Sequence, residues 1–309
     1  MENQIFEGAP QRLDVFVTEA EAGLSREFAK KMINEGRVLV NGKPRKPSFL
    51  LSRGDAVKID LPGAGKARGS DKEGLESILL YEDANLLAIS KPAGVAVHPN
   101  DSNWMRRPEA CLVAEETIVS ILLRARPALM KNGIERLGLV HRLDRDTSGI
   151  MLVAKTKEAQ AELQRQFRER EVDKTYLGVV RGVPAKKTGT INAPIGRAAG
   201  FKKIKVWEYG RDAVTEFKLM EKTRRHALLE IYPRTGRTNQ IRIHLEFIGH
   251  PIAGDRLYGG EPAARLLLHA REAVFTNPAT GRRKSLKAEL PEEFTAEWAR
   301  LKRQDKSEK

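Results

Sequence analysis

Near the middle of the 309-residue chain, two aspartates stand two residues apart in His141-Arg142-Leu143-Asp144-Arg145-Asp146-Thr147-Ser148-Gly149. Leu137 to Val140 precede this stretch and Ile150 to Ala154 follow it, so a polar loop is held between apolar segments. Asp144 lies between Arg142 and Arg145, and cations beside a carboxyl lower its pKa and keep it ionised, fit to act as nucleophile or base. Asp146, with Thr147 and Ser148, can close a local turn through its side chain, and Gly149 supplies backbone freedom. This division gives Asp144 the chemistry and Asp146 the scaffolding, although the spacing fits an ordinary solvated turn almost as well. Asp-Thr-Ser-Gly also has the form of the loops that acid proteases use in pairs, where two carboxyls share a proton. The chain holds no second loop of that kind, and arginines beside the first oppose a shared proton, so a hydrolase is disfavoured.

A second cluster lies in Tyr232 to Pro251, where Arg234, Arg237 and Arg242 fall within nine residues around an expected helix. Thr238 is its expected cap, Ile241, Leu245 and Ile248 its buried stripe, and Gly249 its end. Cations beside the free N–H groups of a helix start can hold a phosphate or carboxylate, against the blander reading of surface charge. Tyr176, opening a strand in Lys174-Thr175-Tyr176, reads as packing by residue type alone, and His98 reads as structural. The six histidines show no metal-ligand spacing with carboxylates or with the single Cys111, so neither a metal nor a cofactor is expected.

The whole chain must position these groups. Lys and Arg number 55 against 41 Asp and Glu, a formal charge of +14, which makes nucleic acid the leading partner. Aromatic residues at 6% argue against rows of stacking rings. No apolar run is long enough for a bilayer and no secretory signal is legible at the start, so no membrane partner is expected and the cytoplasm is. Residues 62–76 are rich in Gly and charge and read as a flexible linker between a module at 11–61 and a larger domain at 77–302, with a charged, disordered tail at 303–309. In the module, Ser25 is placed to cap a helix over 26–35 that Gly36 stops, and Asn41-Gly42 signals a hairpin. Arg26, Lys30, Lys31, Arg37, Lys43, Arg45 and Lys46 gather on these two elements as a phosphate-tracking face. Beyond the linker, strands at 78–81, 86–89, 150–154, 176–180, 214–219 and 228–232 are interspersed with helices at 157–171 and 238–248. That order predicts an α+β domain on a mixed or antiparallel sheet, preceded by a small α/β module. The stretch 100–116, basic in its middle at Arg106 and Arg107, reads as a loop able to touch RNA.

The first sixty residues, through "GRVLVNGK" and the following Gly-Asp, resemble the S4 RNA-binding module. After the linker, "ISKPAGVAVHP", "HRLDRDTSGIMLVAKT", "DKTYLGVVRG", "GRDAVTEF", "YPRTGRTNQIRIHL", "GHPIAGDRLYG" and "LLLHAREAVFTNP" resemble, in order, the RluA-type RNA pseudouridine synthases. The resemblance implies that Asp144 is the catalytic residue, that Tyr176 stacks on a flipped uracil and assists proton removal at C5, and that Arg242 pairs with the carboxylate. It implies RNA as the partner, bound also by Arg142, Arg234 and Arg237, with ribosomal RNA of the large subunit favoured and transfer RNA the alternative. A monomer is expected. Asn239 and Asn277 depart from the resemblance, since histidine is common at both positions. A non-catalytic RNA-binding protein is the competing class, and the joint presence of Asp144, Tyr176 and Arg242 speaks against it.

Overall fold

The computed structural model describes residues 3–20, 26–60, 71–99, 103–105, 111, 116–131, 133–197 and 203–307. Packing divides them into two units, one from residues 1–77 and 96–137 and the other from 78–95 and 138–309. Residues 96–137, counted above with the larger domain, therefore group with the first unit.

In the first unit, β1 (Asn3–Ile5), β2 (Gln11–Arg12), α1 (Leu13–Ala20), α2 (Arg26–Asn34), β3 (Val38–Val40), β4 (Lys43–Pro44), β5 (Leu50–Leu51) and β6 (Ala56–Ile59) follow in turn. The sheet order is β1-β6-β3-β4, with β2 and β5 paired separately. Asn41 and Gly42 both take positive φ, 51° and 74°, so a two-residue turn of the mirror type joins β3 to β4. Val17, Ala29, Met32, Ile33, Val38 and Val57 close a small core. Ser25, the expected cap of α2, lies outside the described residues, as do 62–70 of the expected linker, most of the 100–116 loop, and the last two residues. The rest of that linker is not loose. Residues Asp71–Glu76 form a helix, α3, because Leu75 is fully buried, and α3 packs on α4 (Ile118–Ala125), which α5 (Ala128–Lys131) follows.

The second unit carries β7 (Leu79–Glu82), β8 (Leu86–Lys91), β9 (Ser148–Ala154), α6 (Lys157–Arg168), β10 (Asp173–Arg181), β11 (Thr188–Asn192), β12 (Ile195–Gly196), β13 (Lys205–Val206), β14 (Val214–Lys222), β15 (His226–Pro233), α7 (Gln240–Phe247), β16 (Leu268–Thr276), β17 (Arg283–Lys287) and α8 (Glu292–Ser307). Its main sheet runs β11-β14-β15-β10-β16-β9-β8-β7, with β17 on β16. Only β16 and β9 pair in parallel among the described strands, so the α+β fold rests on a mixed sheet. All seven residues of β9 are buried, which explains the unbroken apolar run from Ile150 to Ala154. Ala159 and Leu163 of α6 pack with β8 and β9, while Ile241 and Leu245 of α7 and Phe294, Trp298 and Leu301 of α8 pack with β10 and β15. The C-terminal segment expected to be disordered is helical through Ser307, because Asp305 accepts hydrogen bonds from Thr223 and the Arg225 N–H and pairs with His226 Nδ1 at 3.0 Å.

One charged group organises the module. Asp14, at the start of α1, is fully buried and binds Arg12 through both oxygens at 2.9 and 3.1 Å and Arg26 at 3.2 Å. The hydrogen bonds from Arg12, then those from Arg26, hold its carboxyl down at about 2. Its stabilising effect is fully present above the ordinary 3.8 and is lost as the pH falls through about 2. Replacing Asp14 by Ala is expected to destabilise α1 and α2 by about 1–2 kcal/mol at neutral pH, the arginines being half exposed. Hydrogen exchange of these two helices against urea measures it, and the deficit relative to wild type shrinks in strong acid.

Candidate active site

The loop before β9 is clamped from beneath. Lys91, fully buried at the end of β8, donates to the carbonyls of Pro92 at 2.7 Å, Val95 at 2.8 Å and Arg145 at 2.8 Å, and the Gly94 N–H also donates to Arg145 O at 2.9 Å. Burial, opposed by the charges of Asp146 and Asp144, pushes the Lys91 amine down to about 7. Beyond the loop, Gly149 has φ +117°, and a Cβ there would stand 2.1 Å from the Ala270 carbonyl oxygen, so β9 can start beside β16 only with glycine. Ser148 accepts from Arg265 at 2.7 Å and hydrogen-bonds His269 Nδ1 at 2.8 Å, tying the other end. Asp146 does not close the turn as expected. The Thr147 N–H donates to Asp144 O at 3.2 Å, while Asp146 is exposed and acts through its charge on Lys91 and Arg265.

The clamped loop places Asp144 against a cleft of about 520 Å³ whose walls include Tyr176, Arg234, Arg237 and Arg242. Its side chain remains 25% exposed. Here the sequence expectation is corrected: burial raises the Asp144 carboxyl, outweighing the lowering by Arg242, Arg142 and Lys91. Neighbouring arginines in sequence are a poor guide: Arg142 lines the cleft and does lower the carboxyl, but burial, which the local sequence does not display, outweighs it.

Arg242 reaches Asp144 from α7, Nη1 to Oδ2 at 3.7 Å. Its closer partner is Asp255, almost fully buried, which accepts from Nε at 2.7 Å and from Nη2 at 2.8 Å. Asp255 also accepts the N–H groups of Leu257 and Tyr258 at 3.0 and 2.9 Å. Nothing in the charge pattern singled Asp255 out; a lone acid directly after Gly254, in a turn whose only other charge is Arg256, was the available signal. Thr238 is not the cap of α7. Asn239 is, in the left-handed region at φ 55°, and its side chain caps nothing. Instead Asn239 Oδ1 accepts from Arg242 Nη1 at 3.1 Å and Nδ2 donates to the Tyr258 hydroxyl at 3.2 Å, while the Tyr258 ring lies 5.1 Å from the Arg242 guanidinium carbon. Arg237 binds the Asp212 carbonyl at 3.1 Å and Arg234 pairs with Glu216 at 2.7 Å. Asn277 closes the turn after β16, accepting from the Ala279 N–H at 2.8 Å.

Tyr176 is re-aimed by a register shift between Thr175 and Tyr176, where β10 pairs with β16. Burial first, then the charge of Asp144, pushes its phenol up and keeps it neutral. In the N-terminal module, Arg26 is engaged by Asp14, and Arg37 lies 3.6 Å from Glu35 and 3.7 Å from Asp60. Lys31 is 4.0 Å from Glu35, Arg45 lies over the Phe49 ring at 4.8 Å, and Lys30, Lys43 and Lys46 are exposed or partly so on the same elements. Among the described residues no helix is long and apolar enough to cross a membrane.

Comparison with known proteins adds a family. Residues 85–247 match the RNA pseudouridylate synthase family and residues 11–57 the S4 domain. An uncharacterized RNA pseudouridine synthase of Synechocystis is 35% identical over 294 residues, covering 92% of this chain and 86% of that protein. The ribosomal large subunit pseudouridine synthase D of Pseudomonas aeruginosa is 35% identical over 307 residues, covering 94% and 91%. The solved structure of human RNA pseudouridylate synthase domain containing 4 has 27% identity and a TM-score of 0.59, over 74% of this chain and 95% of that one.

The double hydrogen bond from Arg242 makes Asp255 a sensitive position. Asp255→Ala leaves a buried guanidinium uncompensated and is expected to cost about 3–5 kcal/mol. Urea denaturation measures this; the isosteric Asp255→Asn is expected to fall between wild type and Ala.

Proposed function

The chain belongs to the RNA pseudouridylate synthase family, and from that premise we propose that Asp144 is its nucleophile, acting on uridines of large-subunit ribosomal RNA. As a member it is an isomerase: the bond from uracil N1 to the ribose breaks, a bond from C5 to the ribose forms, and the C5 hydrogen leaves as a proton. The observation that carries the assignment is the inward Asp144 carboxyl, in one cleft with Tyr176 and 3.7 Å from Arg242.

The cleft cannot admit a base that stays in its helix, so the uridine must be flipped out, and an aromatic side chain then replaces its lost stacking partner. Tyr176 supplies that ring. Its neutral phenol suits stacking; to take the C5 proton it must first give up its own. Attack by Asp144, displacing N1 at the sugar C1′ or adding to C6 of the C5=C6 double bond, makes a bond that breaks again to return the carboxylate once C5 is joined to C1′. Partial desolvation favours this attack, since a carboxylate stripped of water is the stronger nucleophile. Arg242 opposes that burial, its charge favouring the ionised carboxylate without closing a two-pronged pair over both oxygens. The S4 domain and the relative named for the large ribosomal subunit support ribosomal RNA over transfer RNA.

RNA labelled with tritium at uracil C5 tests the reading. Wild-type protein is expected to release tritium from ribosomal RNA, and Asp144→Asn to lose about 10⁴-fold or more of that rate. Release confined to the transfer RNA fraction would reassign the substrate. The same variant carries a second, opposite prediction. Because burial raises the Asp144 carboxyl, folding favours its protonated form, and stability falls as the pH rises from the ordinary carboxylate value through the raised one. The neutral Asn side chain is therefore expected to raise the melting temperature at pH 7 while abolishing turnover.

A further inference from the structure

Three helices of this chain end in the same hydrogen-bonded motif. After α2 the N–H groups of Gly36 and Arg37 return to Ile33 and Met32. After α7 those of Gly249 and His250 return to Glu246 and Leu245, and after α6 those of Arg170 and Glu171 return to Phe167 and Gln166. The motif needs a left-handed residue at its turning point, where glycine avoids the clash of a Cβ. Gly36 and Gly249 meet that need with φ of 72° and 82°, but the third position is Arg170, at φ 63°. An arginine there is strained for no local benefit, and its side chain borders the cleft that holds Asp144.

Lys174, four residues on and at the same wall, is the second oddity. Burial, and then the charge of Arg170, pushes its amine down to about 8. Among the described residues, the side chains of Arg170 and Lys174 make no hydrogen bond or ion pair, although acids are plentiful nearby. Those acids are already engaged: Asp173 is bound by Arg283 at 2.6 Å, Glu171 by Arg165 at 2.8 Å, and Glu169 by Arg165 as well. His141, beside Lys174, is kept neutral, its Nε2 accepting the Leu152 N–H at 2.9 Å. Two like charges are held together at the cleft wall, Arg170 exposed and Lys174 partly buried, and the one acid whose charge opposes them at Lys174, Asp173, is itself bound by Arg283. A polyanion entering the cleft would offset them.

We propose that Arg170 and Lys174 form a subsite for one phosphodiester of the RNA strand that carries the target uridine. Lys174 stands two residues before Tyr176 on β10, so a phosphate there lies close to the nucleotide whose base enters the cleft. The subsite rests on the reading of the substrate as RNA, and it is a positioning device rather than part of the bond chemistry.

The test uses the full-length protein, RNA labelled as above, and Arg170→Gly, Lys174→Met and Lys174→Arg variants over a salt series. Arg170→Gly and Lys174→Met are each expected to raise KM about fivefold at low salt and to reduce the slope of log KM against log salt by about 0.7–0.9. Arg170→Gly should keep kcat and melt no lower than wild type, since glycine relieves the left-handed strain. Lys174→Arg should restore most of the affinity. An unchanged salt slope in an active enzyme, or a lowered melting temperature for Arg170→Gly, would overturn the subsite and make these residues structural. Wild-type protein that released no tritium from any RNA would instead overturn the proposed function, a result that these variants cannot mimic.

Discussion

Everything at the cleft depends on how one guanidinium is shared between two carboxylates of unequal rank. Arg242 gives Nε and Nη2 to Asp255, deep in the protein, and leaves only Nη1 for Asp144, at 3.7 Å. A buried ion pair gains its Coulomb energy only when geometry is good and the remaining polar atoms are satisfied. Asp255 meets both conditions, with two further N–H donors on the same oxygen. Asp144 meets neither, and that difference keeps its oxygens available. Had Arg242 closed both prongs on Asp144, the pair would be more stable and the carboxylate a poorer nucleophile. The arrangement therefore separates holding the arginine from using it.

The loop that carries Asp144 obeys a related constraint. A lysine amine buried under the loop costs solvation, and three carbonyl acceptors offset part of that cost. One of the three belongs to Arg145, the residue next to Asp144, so movement of Asp144 along the loop strips a hydrogen bond from a group that cannot reach water. On the other flank, Gly149 lets β9 start in contact with the Ala270 backbone. The carboxylate is thus fixed between two elements of the sheet, where small shifts are expensive.

How much of this could be read beforehand divides along physical lines. The apolar run of β9, the Asn-Gly hairpin and the Asp144 loop are local patterns, and a local pattern survives in sequence. Tyr176 drew attention only through resemblance, because a tyrosine at a strand start carries no chemistry by type alone, while Arg242 stood out with Arg234 and Arg237 around a helix start and owed only its pairing with Asp144 to resemblance. The misses are tertiary. Leu75 turns the end of an expected linker into a helix, and Asp305 pins an expected loose tail, each through a single residue whose partners are far away in sequence. The sign of the Asp144 shift was missed for the same reason: Arg142 does lower the carboxyl, but the burial that decides the matter comes from elements assembled around it.

Strain is distributed unevenly, and the unevenness carries information. Helices α2 and α7 end on glycine, as steric rules ask, while α6 ends on Arg170 and α7 begins on a left-handed Asn239. These two border the cleft, whereas the other non-glycine residues of positive φ among the described ones, Asn41, Arg136 and Leu137, do not. A left-handed residue with a Cβ costs on the order of 1–2 kcal/mol relative to ordinary backbone, somewhat less for asparagine. Such a cost is retained where the side chain does something that glycine cannot. Asn239 shows what that is, because its two amide atoms tie Arg242 to Tyr258. Arg170 makes no comparable bond within the protein, so its benefit must lie in something the cleft receives. Strain with an internal recipient and strain without one differ in this way: the first explains how the site is built, and the second points to what enters it.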